Sequence, residues 1–111
     1  MGLPAKIVHA LPESLQQFLA KQYYPRVLRN YTESSWDYSP VIKSLVPADG
    51  VVIDAGANIG YLSHLFSQWV GSEGTVHSFE PVPWTNDILR SNVRKLGLSN
   101  IEVHQLALSN I

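Results

Sequence analysis

The segment VVIDAGANIGYLSHLF, residues 51–66, restricts the possible folds of this chain more than any other part of it. Three β-branched residues lead into Asp54, and Gly56 and Gly60 follow with three residues between them. After Gly60 the apolar residues recur with helical spacing. The pattern therefore predicts a strand, then a tight turn that needs glycine, and then a helix.

The alternation of strand and helix continues along the chain. Thr75 to Phe79 is typical of a short strand that ends at Glu80. Pro83 suits the first turn of a following helix, and Gly97 suits its end. Such alternation indicates a parallel sheet with right-handed crossovers. We expect strands near 51–54, 75–79 and 101–107 in the order 3-2-1, with helices near 59–70 and 84–96.

The first part of the chain, 1–46, is predicted to be a helical cap on an α/β domain that occupies 47–111. Pro25 is expected to break or restart the main helix of this cap, because proline lacks a backbone N–H group. The aromatic residues of the cap are expected to serve in packing. The predicted pieces are an irregular start at 1–12, a helix over 13–23, a loop at 31–39 and a short helix at 41–45.

Composition excludes several classes of protein. Of the 111 residues, 45% are hydrophobic, which is typical of a globular chain rather than a disordered one. The net charge of −1 gives no indication of nucleic-acid binding, and no apolar run approaches the roughly 18 residues of a membrane span. Cysteine is absent, which fits the cytoplasm. The histidines His9, His77 and His104 are scattered without ligand spacing, so we expect no metal site.

The carboxyl ends of the first two strands carry the residues that suggest a ligand. In an open parallel sheet, ligands bind beyond these ends. Asp54 and Glu80 supply acceptors there, and the helix that follows Gly60 offers free N–H groups at its start. Glu80 is placed to accept both hydroxyls of a ribose, and Asp54 to bind an ammonium group. A ribose at one end and an amino acid at the other describe S-adenosylmethionine.

Nucleotide binding is the main alternative. The dinucleotide motif G-x-G-x-x-G requires a glycine where Asn58 stands, and the chain has no G-x-x-x-x-G-K-[ST] motif. A carboxylate at Asp54 is also a poor neighbour for a pyrophosphate. An NAD(P)- or nucleotide-binding enzyme therefore remains a less favoured hypothesis. A non-catalytic segment that binds a cofactor is the other.

Four short motifs resemble the FkbM family of S-adenosylmethionine-dependent methyltransferases. They are DAGANIG (54–60), FEPVP (79–83), LRSN (89–92) and ALSN (107–110). The resemblance implies the Rossmann-like α/β fold of class I methyltransferases and transfer of a methyl group to oxygen. It also implies that Val82, Ser109 and Asn110 lie near the adenine. The cofactor-binding residues that it implies are Asp54, Gly56, Ala57, Asn58, Gly60, Glu80 and Pro81.

The resemblance also sets limits on what this chain can do. The family implies a larger sheet than the three strands predicted here, with the acceptor site in its other half. We therefore expect an N-terminal fragment that is inactive by itself, and we name no catalytic residue. The implied methyl acceptor is a small molecule or a glycan-type compound.

Three residues of the central segment have simpler interpretations. Asn58 can cap the helix that follows it, with or without a contact to the cofactor. Tyr61 is equally compatible with the core and with the cofactor site. His64 lies beside the apolar stripe of the helix and is expected to be a surface residue rather than a catalytic base.

Overall fold

A computed structural model describes residues 4–109. The chain forms three strands and five helices within this range, together with a 3₁₀ turn at Glu33–Ser35. The strands are β1 (Val51–Ala55), β2 (Thr75–Phe79) and β3 (Ile101–His104). The helices are α1 (Ala5–Ala10), α2 (Glu13–Asn30), α3 (Ser39–Leu45), α4 (Tyr61–Val70) and α5 (Pro83–Lys95).

The three strands form one parallel sheet in the order β1-β2-β3, which confirms the predicted topology. Asp54 is the register partner of Ser78, and Phe79 is the partner of His104. The third strand ends at His104, three residues earlier than expected. The prediction was too long because residues 105–108, although partly apolar, have no strand pairing.

The principal helix contacts of the sheet lie on one face. Helix α4 packs against β1 and β2, α5 packs against β3, and α2 packs against α5. The sheet contributes Val52, Val76 and Ile101 to the core on this face. This arrangement follows from right-handed crossovers between strands that advance in one direction across the sheet.

The opposite face of the sheet is uncovered in residues 4–109. Side chains alternate between the faces of a strand, so Val51 and Ile53 point away from the helices. Their exposed fractions are 62% and 60%. Strand β1 also pairs with β2 alone, so one of its edges carries no ladder within the described part of the chain.

The prediction that Pro25 ends or interrupts the N-terminal helix is wrong, because α2 continues through it to Asn30. Proline cannot donate to the carbonyl four residues earlier, which is that of Lys21. The Lys95 ammonium donates to this carbonyl instead, at 2.7 Å. Pro25 is buried, so packing also holds the helix together at this point.

The start of the chain is also more regular than predicted. Residues 5–10 form α1, which follows Pro4 directly, and the Pro4 carbonyl accepts from the N–H groups of Ile7 and Val8. Helix α3 begins at Ser39, two residues before the predicted helix at 41–45, and has Pro40 in its first turn. The division into a cap at 1–46 and an α/β domain at 47–111 stays a prediction.

None of the helices in the described range is both long and apolar enough to cross a membrane.

Candidate functional site

The turn between β1 and α4 is built from left-handed backbone conformations. Gly56, Asn58 and Gly60 have φ angles of 71°, 54° and 111°. The N–H groups of Gly56 and Ala57 both donate to the carbonyl of Phe79, at 2.9 and 3.0 Å. The turn is therefore fixed against the end of β2 and brings the first two strand ends together.

The two glycines of the turn have different surroundings. A Cβ atom on Gly60 would lie 3.0 Å from the Leu89 side chain, which would have to shift slightly, and the φ angle of 111° also favours glycine there. A Cβ atom on Gly56 would have no protein atom within 4 Å. Gly56 therefore faces open space, which agrees with its predicted place beside a ligand.

Asp54 is held in a buried hydrogen-bond network. Asp54 is 7% exposed, and the Ser63 hydroxyl donates to its Oδ2 at 2.6 Å. The hydroxyls of Ser63 and Ser78 are also 2.6 Å apart. Burial raises the pKa of Asp54, and the hydrogen bonds from Ser63 partly offset this effect. Hydroxyl groups on α4 and β2 therefore fix the orientation of the Asp54 carboxylate.

Glu80 connects the two loops that follow β1 and β2. Its Oε1 accepts from the Asn58 N–H at 2.8 Å, and its Oε2 accepts from the Val82 N–H at 3.1 Å. The residue is 7% exposed. A carboxylate has about four acceptor positions, so each oxygen keeps one lone pair for a further donor. The position and remaining acceptor capacity suit a diol.

Sequence reasoning missed Asn86, which holds the segment after β2 in place. Its side-chain NH₂ donates to the Glu80 carbonyl at 2.9 Å, and its Oδ1 accepts from the Arg90 Nε at 2.8 Å. Asn86 is fully buried. The available signal was its position, one turn after Pro83 at the start of α5, where a side-chain amide can reach back to the preceding loop.

Ser63 and Ser78 were also missed. Nothing in their spacing relates them to Asp54, because the contact depends on the register between β1 and β2 and on the rotation of α4. Small hydroxyl residues on an apolar helix and in a buried strand were the one available signal. Buried hydroxyls need hydrogen-bond partners, and a carboxylate at the adjacent strand end can supply one.

Three further predicted residues, Ala57, Pro81 and Val82, lie in the segments that follow β1 and β2. Ala57 is buried in the turn, whereas Pro81 and Val82 are exposed. Ser109 is the last described residue, and Asn110 lies outside the described range. The structure thus brings the turn after β1 and the segment after β2 together at the carboxyl edge.

The expectation that Asn58 caps the helix is wrong. Gly60 is the N-cap residue of α4, and no side chain forms a capping hydrogen bond there. The role of Asn58 in the structure depends on its backbone, which has a left-handed φ angle and donates to Glu80.

The expectation that His64 lies on the surface is also wrong. His64 is 8% exposed, because α4 is buried over five consecutive residues, Ser63 to Ser67. Burial lowers the pKa of His64. Its Nε2 lies 3.2 Å from the Gln68 amide nitrogen, and its Nδ1 has no hydrogen-bond partner among the described residues.

The aromatic residues serve mainly in packing. Tyr61 contacts the core cluster that contains Leu28 and Ile88, and its ring lies edge-on to Tyr31 at 5.2 Å. Trp36 packs edge-on against Phe66 on α4. These contacts join the N-terminal helices to the sheet domain, in agreement with the predicted packing role of the cap.

The interpretation of the histidines as scattered is wrong for His77 and His104. Parallel pairing of β2 with β3 brings their rings together, with His77 Nδ1 at 3.1 Å from His104 Nε2. Glu102 lies beside them, with Oε2 at 3.4 Å from His77 Nδ1. Sequence spacing cannot reveal such a cluster, because the three side chains meet through the register of the sheet.

Comparison with solved structures finds methyltransferases. A protein-L-isoaspartate O-methyltransferase aligns with 62% of this chain at 25% identity and a TM-score of 0.56, and the match covers 24% of that protein. A SAM-dependent methyltransferase from Aquifex aeolicus aligns with 77% of this chain at 26% identity and a TM-score of 0.59, covering 47% of that protein. This chain therefore spans less than half the length of either. No protein-family model and no curated protein sequence matches it.

The likeness to these two proteins is one of overall fold. Residues 4–109 have the Rossmann-like α/β fold of class I methyltransferases, as a partial sheet of three parallel strands.

Proposed function

We propose that this chain is the cofactor-binding part of an S-adenosylmethionine-dependent methyltransferase. The observation that carries the proposal is the pair of acidic residues, Asp54 and Glu80, at the ends of adjacent parallel strands around a glycine turn. The likeness in fold to solved methyltransferases supports it.

In this proposal Glu80 binds the ribose. Each of its two oxygens accepts a hydrogen bond from a backbone N–H group, that of Asn58 or that of Val82. The carboxylate is therefore oriented before a ligand binds. Each oxygen can then accept from one ribose hydroxyl. Pro81 and the exposed Val82 provide an apolar surface for the adenine ring.

The methionine half of the cofactor lies along the turn formed by Gly56, Ala57, Asn58 and Gly60. Gly56 leaves room for the ligand, because no protein atom occupies the position where a side chain would begin. Asp54 supplies negative charge beneath this turn, toward the ammonium and sulfonium groups. Ser63 holds the orientation of its carboxylate.

The acceptor and the reaction type rest on the resemblance to the FkbM family. We propose transfer to an oxygen atom of a small-molecule or glycan-type acceptor. Methyl transfer needs an in-line approach of the nucleophile to the methyl carbon, so positioning supplies much of the catalysis. We assign no catalytic base, and we propose that residues 1–111 alone do not catalyse the transfer.

The two alternatives are binding of NAD(P) or a nucleotide, and binding of a cofactor without catalysis. The buried, oriented carboxylate of Asp54 disfavours a polyphosphate at the turn. Calorimetry with S-adenosylhomocysteine and NAD on the purified chain separates these functions. The proposal predicts binding of S-adenosylhomocysteine alone. Preference for NAD would contradict it, and weak or absent binding of both ligands would favour the non-catalytic role.

A further inference from the structure

Three potential metal ligands lie together on the uncovered face of the sheet. His77 on β2 is the register partner of Glu102 on β3, and His104 follows Glu102 by two residues. Residues two apart on a strand share a face, so all three side chains project from the face opposite α4 and α5. His77 and His104 are half-buried, and Glu102 is exposed.

Two of the three distances between the ligand atoms match those around a tetrahedral metal ion. His77 Nδ1 lies 3.1 Å from His104 Nε2 and 3.4 Å from Glu102 Oε2, and all three ligand atoms are within 4.8 Å of one another. Zinc bonds of about 2.0–2.2 Å at tetrahedral angles separate neighbouring ligand atoms by roughly 3.3 Å. The cluster needs only a small closing movement of the exposed Glu102 side chain.

The orientation of the histidine rings is partly fixed by stacking. Phe79 stacks on His104 with ring centroids 4.7 Å apart and an interplanar angle of 20°. His104 in turn stacks on His77 at 5.3 Å. Stacked rings lose less rotational freedom on binding a metal, so this arrangement lowers the entropic cost of assembling the site.

We propose that His77, Glu102 and His104 bind one divalent transition-metal ion, with zinc the best match to two imidazoles and one carboxylate. Three protein ligands leave a fourth position for water or another donor. The ion joins β2 to β3 immediately before Glu80, whose N–H donates to the carbonyl of His104 at 3.0 Å. The site is independent of the proposed methyltransferase function, since none of its ligands belongs to the cofactor site.

The test is a titration of the metal-free 111-residue chain with Zn²⁺ by calorimetry, together with visible absorption of the Co²⁺ form. We expect one ion per chain and a tetrahedral Co²⁺ spectrum. Each of three variants removes one ligand: His77→Ala, His104→Ala and Glu102→Gln. Loss of a residue that only hydrogen-bonds to a metal ligand typically weakens metal binding about 10–100-fold, so loss of a ligand itself should weaken Zn²⁺ binding by more than this. The control variant His9→Ala changes an exposed histidine outside the cluster and should bind normally.

Circular dichroism establishes that each variant is folded. A water molecule can replace a single lost ligand, so the double variant His77→Ala/His104→Ala is also tested, and it should not bind the ion. Absence of stoichiometric binding to the wild-type chain would overturn the proposal. So would binding that persists in the double variant, or that is lost equally in His9→Ala.

Discussion

The backbone N–H of Asn58 donates to the carboxylate of Glu80 at 2.8 Å, which joins the turn after β1 to the segment after β2. The second oxygen of Glu80 accepts from Val82, so one side chain sets the spacing between the two loops. Asn58 donates this bond from a left-handed backbone with a φ angle of 54°. A carboxylate with this support can bind a diol without reorganisation of its own loop.

Replacing Asp54 with asparagine should stabilise the fold and weaken the cofactor site. Burial raises the pKa of Asp54, so the charged form is disfavoured in the folded state. The contribution of the neutral Asp54 carboxyl group to stability is therefore complete below its ordinary pKa of 3.8 and is lost as the pH rises through the folded-state pKa. Asparagine keeps an acceptor for Ser63 without the charge.

Thermal melting over this range of pH measures the effect of Asp54→Asn. The variant should gain stability over the wild-type chain as the pH rises, and the two should melt alike below pH 3.8. Asp37→Asn, a change at an exposed carboxylate, is the control. Equal melting temperatures at pH 7 would show that burial of Asp54 carries no cost.

Alanine substitution can distinguish the structural role of Gly60 from the proposed ligand-binding role of Gly56. Gly60→Ala should cost about 1–3 kcal/mol of stability, because it combines a left-handed backbone with a contact to Leu89 at 3.0 Å. Gly56→Ala meets no protein atom and should cost about 1–2 kcal/mol through its φ angle alone. It should nevertheless abolish binding of S-adenosylhomocysteine, because its methyl group occupies the proposed ligand space.

Gly97→Ala is the matched control for Gly56→Ala. Gly97 has a φ angle of 65° and open space around its Cα, but it lies after α5 and away from the turn. Urea denaturation and calorimetry should give similar losses of stability for the two variants, and a loss of ligand binding for Gly56→Ala alone. Normal binding by Gly56→Ala would remove Gly56 from the site.

His64 should make the fold sensitive to acid. Burial lowers its pKa, so its contribution to stability is complete above the unfolded value of 6.5 and is lost as the pH falls toward the folded-state pKa. Below pH 6.5 the melting temperature of the wild-type chain should therefore fall relative to that of His64→Gln. The exposed His9→Gln should follow the wild-type chain, and an identical decline in His64→Gln would exclude His64 as the cause.

The free edge of β1 should promote self-association of the 111-residue chain. This edge has no ladder within residues 4–109, and Val51 and Ile53 are exposed beside it. Sedimentation velocity should show oligomers that grow with concentration. Ile53→Lys should reduce them, because a charge at a strand edge opposes pairing, whereas Leu45→Lys on α3 should not. A wild-type chain that stays monomeric at high concentration would contradict this prediction.

The sequence was sufficient for features that depend on neighbouring residues. The β-branched run before Asp54 and the proline and glycine that bound α5 indicated the strands, the helices and their order. The continuation of α2 through Pro25 could not be predicted in this way. The Lys21 carbonyl, which Pro25 cannot bond, accepts from Lys95, which lies 74 residues further along the chain. Local propensity carries no information about such a partner.

The site was predictable to a similar degree. Strand ends and glycines located Asp54 and Glu80, since these positions follow from parallel topology alone. The partners of Asp54, Ser63 and Ser78, depend on register and on helix rotation. The pairing of His77 with His104 depends on register too, and no spacing in the sequence expresses it.

The most direct test of the proposed function is binding of S-adenosylhomocysteine to the Glu80→Gln variant, measured by calorimetry beside the wild-type chain. Glutamine has nearly the same shape but lacks the charge and one of the two acceptors, so binding should weaken by roughly 1–3 kcal/mol. Glu73→Gln, in the exposed loop before β2, should bind as the wild-type chain does. Equal affinity in all three proteins, or no binding to the wild-type chain, would contradict the assignment of Glu80 as the ribose ligand of a methyltransferase.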